Sequence, residues 1–277
     1  MSELPIHSAT RYVQPLREGG SLPAVVDTEA GLFVVKFRGA GQGVKVLVAE
    51  LIVGQLALRL GLPVPELALI EIDPLFGRSE PDPEIQDILR ASHGVNVGLR
   101  YLDGAFNYDE HAAGELIDPE LAAAVVWLDA FLTNPDRTHR NPNLLLWQRR
   151  PWLIDHGAAL YAHHDWSGVD AARTRTRFPL IENHVLLARS GDLLAADARL
   201  EARLGPGVFA EVLAAIPDAL FLDPHGREPV GSPAEARERY VRYLTMRLEA
   251  PRDFVAEAAR AREARLREPP RRLEARR

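Results

Sequence analysis

Three short apolar runs near the N-terminus, Arg11 to Pro15, Ala24 to Asp27 and Leu32 to Phe37, are separated by Gly19-Gly20-Ser21 and by Thr28-Glu29-Ala30-Gly31. Runs of this length bounded by turn formers predict strands joined as hairpins. The period then changes. Val44, Leu47, Val48, Leu51, Ile52, Leu56 and Leu60 fall at helical spacing and Gly61 is a natural stop, which predicts a helix over 44–60. Glu50 lies beside this stripe, where it can reach a neighbouring strand. Pro65 to Ile72 alternates and predicts a further strand. Residues 74–94 are rich in Pro, Asp and Ser and predict a connection carrying a short helix over Glu84–Ala91.

From Asp118 the pattern is helical. Asp118 is a good N-cap, Pro119 suits the first helical position, and Leu121 to Leu132 carry an apolar face until Asn134-Pro135 ends it. Asp129 interrupts that face and is expected to brace the loop that follows. Leu144 to Trp147 and Trp152 to Ile154 are strand-like runs joined by Gln148-Arg149-Arg150-Pro151, which predicts a hairpin. Helices predominate after residue 165, over roughly 181–190, 192–203, 207–214 and 232–249. From about Ala256 the chain carries eight Arg, four Glu and no aromatic residue, which predicts a solvated helix or a disordered tail. Strands first and helices afterwards predict an α+β architecture.

Composition narrows the class without naming it. With 47% hydrophobic and 26% charged residues the chain reads as globular, one large domain or two lobes. No apolar run approaches the ~20 residues of a membrane span, and Met1-Ser2-Glu3-Leu4-Pro5 lacks the features of a signal peptide, so no membrane association and a cytoplasmic location are expected. Without cysteine there is neither a disulfide framework nor thiolate chemistry. A net charge of −6 argues against nucleic-acid binding by the surface as a whole.

The candidate chemistry lies between the predicted helix and the predicted hairpin. The loop Thr133-Asn134-Pro135-Asp136-Arg137-Thr138-His139-Arg140-Asn141-Pro142-Asn143 places an amide five residues after an acid, and Asp155 follows fourteen residues after Asn141. Pairing across the hairpin brings Asn141 and Asp155 to one open end. Asp136 can orient and deprotonate a hydroxyl, while Asn141 and Asp155 can hold magnesium on ATP phosphates. Asp136 and Asn141 are also ordinary turn formers, and Asn143 is a rival for Asn141. A second signal agrees. Of 33 basic residues 31 are arginines, and the lysines are Lys36 and Lys45. Lys36 sits in the apolar run Leu32 to Phe37, where an ammonium group needs an anion, a phosphate or the carboxylate of Glu50. A Gly-rich turn such as Gly19-Gly20-Ser21 lets backbone amides approach phosphates. His163-His164-Asp165 offers no third ligand at metal spacing, and no metal is assigned to it.

With these residues in place the chain resembles the HipA-like kinases, relatives of the protein-kinase and phosphatidylinositol-kinase fold. The resemblance is carried by Gly19-Gly20-Ser21-Leu22-Pro23-Ala24, Val34-Val35-Lys36-Phe37, Ala49-Glu50-Leu51, Leu60 to Pro65, Asp136 to Asn141, and Leu153-Ile154-Asp155-His156-Gly157, spanning about residues 8 to 165. It implies a bilobal protein-kinase-like fold with a β-rich nucleotide-binding lobe over 8–105, a mainly helical catalytic lobe over 106–255 and a charged tail over 256–277. It further implies Asp136 as catalytic base, Asn141 and Asp155 as metal ligands, Lys36 as the ATP lysine paired with Glu50, and a last strand and hinge over Val95 to Leu102. There the backbone around Arg100 and Leu102 meets the adenine. ATP and Mg2+ are the implied cofactors. The implied acceptor is a hydroxyl, Ser or Thr of a protein including the chain itself, with a small molecule or lipid as the alternative. A non-catalytic nucleotide-binding module and a regulatory protein partner stay open. The chain departs from the family pattern at His156, where an aromatic residue is usual. It also has Thr138, with His139 one further on, where many relatives carry histidine two residues after the base.

Overall fold

A computed structural model describes residues 4–16, 22–41, 43–78, 80–222 and 232–267. Gly19, Gly20 and Ser21 lie outside them. The chain begins with β1 (Ile6–Pro15), β2 (Ala24–Thr28), β3 (Gly31–Lys36), α1 (Gly43–Leu60), β4 (Leu67–Ile72), α2 (Pro83–Ala91) and β5 (Gly94–Arg100). These strands form a closed barrel in the order β1-β2-β3-β5-β4, completed by a parallel pairing of β1 with β4. A mainly helical part follows: β6 (Phe106–Asn107), α3 (Glu110–Ala113), α4 (Pro119–Phe131), β7 (Leu144–Trp147), β8 (Arg150–Leu153), α5 (Ala171–Thr174), α6 (Leu193–Glu201), α7 (Pro206–Ala214), α8 (Pro233–Leu248) and α9 (Asp253–Arg267). Strands β6, β7 and β8 make a small antiparallel sheet. The fold is mixed α+β, β-rich first and helical afterwards. Among the described residues no helix is long and apolar enough to cross a membrane.

The barrel explains why β4 is buried almost throughout instead of alternating. Ala68, Ile70 and Ile72 point into the barrel with Val26, Phe33 and Val35, while Leu67 and Leu69 point out with Val97 and Leu99 against α1. Gly98 of β5 is needed here, because a Cβ would stand 2.6 Å from Ile70 Cγ1. On its other side α1 meets the C-terminal helices. Gln55 Nε2 donates to Val212 O at 3.5 Å, Arg203 Nη1 donates to Leu60 O at 2.7 Å, and Arg59 pairs with Glu211. Fourteen of the eighteen α1 residues are therefore buried.

Two further expectations differ from the fold. The stretch 181–190 is not an α-helix: Pro179–Asn183 is a 3₁₀ turn entered through Phe178 in the left-handed region (φ 59°). The arginine-rich end is helical as far as residue 267, as one of the two alternatives had it, but one face of the helix is buried and not solvated. Asp253–Arg267 is a helix that buries Phe254, Val255, Ala258 and Ala261. Phe254 packs on Trp127 and Phe131 of α4. From Ala256 onward its buried apolar residues are only Ala258 and Ala261, which is why the charged ones masked the buried face.

Candidate active site

Strand β3 ends with Lys36 pointing at α1. Its Nζ donates to Glu50 Oε2 at 2.6 Å and to Asp155 Oδ1 at 2.5 Å, so one ammonium group bridges α1 and the residue just past β8. Glu50 is fully buried and Lys36 nearly so, whereas 45% of the Asp155 side chain is open to solvent. Burial acts against the Lys36 charge, but Glu50 and Asp155 outweigh it and raise its pKa. Burial likewise opposes the Asp155 charge, and Lys36 outweighs it, holding the carboxyl below its usual range. Glu50 Oε2 also accepts the backbone N–H of His156 at 2.8 Å. Asp155 has φ +53°, a conformation uncommon for any residue with a side chain.

The open end of the hairpin is closed by Asn143 and Ile154. Ile154 N donates to Asn143 O at 3.1 Å across the end of β7 and β8. Asp136 Oδ2 accepts from Asn141 Nδ2 at 2.9 Å and from Asn143 Nδ2 at 3.2 Å. Asn141 is exposed and Asn143 buried. The Arg100 N–H donates to Glu66 O at 2.8 Å, its guanidinium donates to the Glu66 carboxylate, and its plane covers the Phe33 ring at 4.2 Å. Leu102 lies two residues beyond β5 and is buried.

The loop that carries Asp136 is held from beneath by buried polar residues. Asp129 accepts from Asn134 Nδ2 at 2.9 Å, Arg137 Nε at 2.6 Å and His184 Nε2 at 2.9 Å. Leu186 N–H donates to His184 Nδ1, which leaves Nε2 as the protonated nitrogen facing Asp129. Burial would raise the Asp129 carboxyl, but Arg137 and His184 hold it far below the usual carboxylate range. Arg247 from α8 donates to Ala130 O and Phe131 O, capping the carbonyl end of α4 where the loop begins. Arg137 and His184 were not legible as site residues. The signal was Asp129 itself, since a carboxylate inside an apolar helix face requires partners.

Burial, with Arg137 beside it, depresses His156 to about 3, so its ring is neutral. Arg137 Nη2 donates to His156 Nδ1 at 3.2 Å. Among the described residues no three His, Cys, Asp or Glu converge as a metal cage. Thus His163 and His164 face each other at 3.2 Å without a third ligand of that kind.

A strand lysine tied to a helix glutamate, next to an acid ending a hairpin and an acid–amide loop, is the arrangement of a phosphotransferase. The comparisons give the family. The model of the HipA-like kinases matches residues 12–170, more than half of the chain, and the chain belongs to that family of kinases. Among solved structures it is similar to the Helicobacter pylori proinflammatory kinase CtkA, with 14% identity and a TM-score of 0.48 over 96% of this chain and 100% of that one. No curated protein is significantly similar to it.

Proposed function

We propose that this kinase transfers the γ-phosphoryl group of ATP, with Mg2+, to a hydroxyl, a serine or threonine of a protein including the chain itself. The observation that carries the reading is the Lys36 bridge between Glu50 and Asp155. It supports a lysine pre-aimed at nucleotide phosphates beside a solvent-open carboxylate. The donors suit magnesium: a carboxylate and a side-chain amide are hard oxygen ligands, and Mg2+ on a nucleotide takes one or two from the protein and the rest from phosphate and water. Asp155 and Asn141 would hold it, with Asn143 next to Asn141, and it would neutralise phosphate charge in the transfer.

Lys36 binds the phosphates and Glu50 keeps its ammonium in place. Asp136, held by the amides of Asn141 and Asn143, orients the acceptor hydroxyl and takes its proton late in the transfer. Gly19, Gly20 and Ser21 are proposed to cover the phosphates, and the backbone at Leu102 to meet the adenine. The nucleotide lobe is proposed to end near residue 105 and the catalytic lobe near 255. The test is transfer from radiolabelled ATP by purified protein, self-labelling first, then lysate proteins, lipids and small alcohols. Label on lipid or small molecule alone would replace the protein acceptor. No transfer, with calorimetric ATP–Mg2+ affinity unchanged in Asp155→Ala, would defeat the reading.

A further inference from the structure

We infer that Arg137 is a positioning residue that sets the metal-facing conformation of Asp155 through the residues on either side of it. This inference rests on the proposed ATP–Mg2+ site. Arg137 is 1% exposed, and its fork reaches four groups. Nε donates to Asp129 Oδ2, Nη1 to Asn143 O and, at 3.4 Å, to Ile154 O, and Nη2 to His156 Nδ1. Ile154 and His156 are the two neighbours of Asp155. Asp tolerates the left-handed region better than most residues but does not prefer it, and here one side chain fixes the carbonyl before Asp155 and the ring after it. The same fork grips Asn143, itself at φ +47°, two residues after Asn141. A single guanidinium thereby gauges the spacing between both proposed ligand segments.

The role is chiefly geometric, since the Arg137 charge reaches Asp155 only at longer range and behind that of Lys36. Asp129 sits against the Arg137 charge at 2.6 Å, whereas the cation that touches Asp155 is Lys36. A lysine at 137 would keep the charge opposite Asp129 but is a point donor and cannot span the four acceptors. Arg137→Lys therefore separates fork from charge.

The experiment uses the full chain as wild type, Arg137→Lys and Arg137→Gln. It reads the thermal midpoint, ATP affinity in EDTA, and the Mg2+ concentration that half-saturates the ATP complex. Residues that orient metal ligands typically carry 10–100-fold in metal affinity. The Mg2+ midpoint in Arg137→Lys is expected to rise about tenfold or more, with ATP affinity in EDTA kept within roughly threefold. An unshifted Mg2+ midpoint overturns the inference, as does a fall of metal-free and metal-bound affinity together, which is general loosening. If the Arg137 variants do not fold, His156→Leu removes one tether and keeps the bulk, and the same pattern is expected at smaller size; its absence overturns the inference. A wild type whose ATP binding ignores Mg2+ instead defeats the proposed function beneath it.

Discussion

Gly157, in the loop after Asp155, lies against helix α1 with no room for a side chain. A Cβ built there falls deep inside the contact distance of Val46 Cγ1, and 3.7 Å from Lys36 Nζ. The overlap exceeds ~1 Å against an ordinary C···C separation of about 3.5–4 Å. Val46 cannot swing away, because a β-branched side chain in a helix has one strongly preferred rotamer and this one is buried. In Gly157→Ala the loop or α1 must shift, which loosens Lys36–Asp155 at 2.5 Å and His156–Glu50 at 2.8 Å. Overpacking of this kind costs about 1–3 kcal/mol. Val46→Ala alone removes two methyl groups, about 1.6 kcal/mol at ~0.8 each. In the double variant the obstacle is gone, so its stability should match Val46→Ala, a coupling of roughly 1–3 kcal/mol. Urea denaturation of the four proteins reads the cycle. Calorimetry should show ATP–Mg2+ affinity lost in Gly157→Ala and restored in the double variant. Additivity within about 0.5 kcal/mol would refute the steric argument.

Asp136→Asn should lower phosphoryl transfer by about 10²–10⁴ while ATP–Mg2+ affinity stays within a few-fold; lost nucleotide binding would make Asp136 a ligand, and undiminished transfer would make it a turn residue. Lys36→Arg should lower turnover, because a broad fork cannot replace a point charge between two carboxylates; wild-type rates in both Lys36→Arg and Glu50→Gln would remove this pair from the mechanism. Burial keeps folded His156 neutral down to about 3 against an ordinary 6.5, so below pH 6.5 the unfolded chain takes up a proton that the folded chain refuses. Stability is then complete above that value and falls toward pH 3 by about 1.4 kcal/mol per pH unit from this ring, with buried His163 and His184 shifted the same way. Urea midpoints between pH 4.5 and 7 should show the fall, and His156→Gln should reduce its slope; an unchanged slope would mean that His156 is not the group responsible.

Much of the framework was legible because it rests on local signals. The stripe from Val44 to Leu60 became α1, Asp118 caps α4 by accepting from Leu121 N at 2.8 Å, and the turn between β7 and β8 falls at 148–149 inside the linker read as 148–151, whose Arg150 and Pro151 already pair in β8. The hairpin itself was legible, and it joins Asn143 to Ile154, residues 11 apart in sequence. Barrel closure was not legible, since the parallel pairing of Ile6 to Ser8 with Leu69 to Glu71 leaves no turn signature. The support beneath the loop was half visible. Asp129 announced that a partner was needed, but His184 arrives from 55 residues away, and nothing in a single sequence measures such a distance. Arg137 was hidden by company: in a chain with 31 arginines, the one beside Asp136 carries no contrast, whereas a lone strand lysine does.

Helix α1 has two coats, the barrel on one side and the helices from Leu193 onward on the other. The consequence concerns inheritance and dissection. The first hundred residues are expected not to behave as a cassette that folds when expressed or transplanted alone. A fragment ending near residue 105 would bare the flank of α1 that Val212, Glu211 and Arg203 now cover, and with it the helix that orients Lys36. Proteolytic nicking in the connection between the two regions should therefore leave the pieces associated, and sequence change along the outer flank of α1 should be answered by change in α7 rather than in the strands.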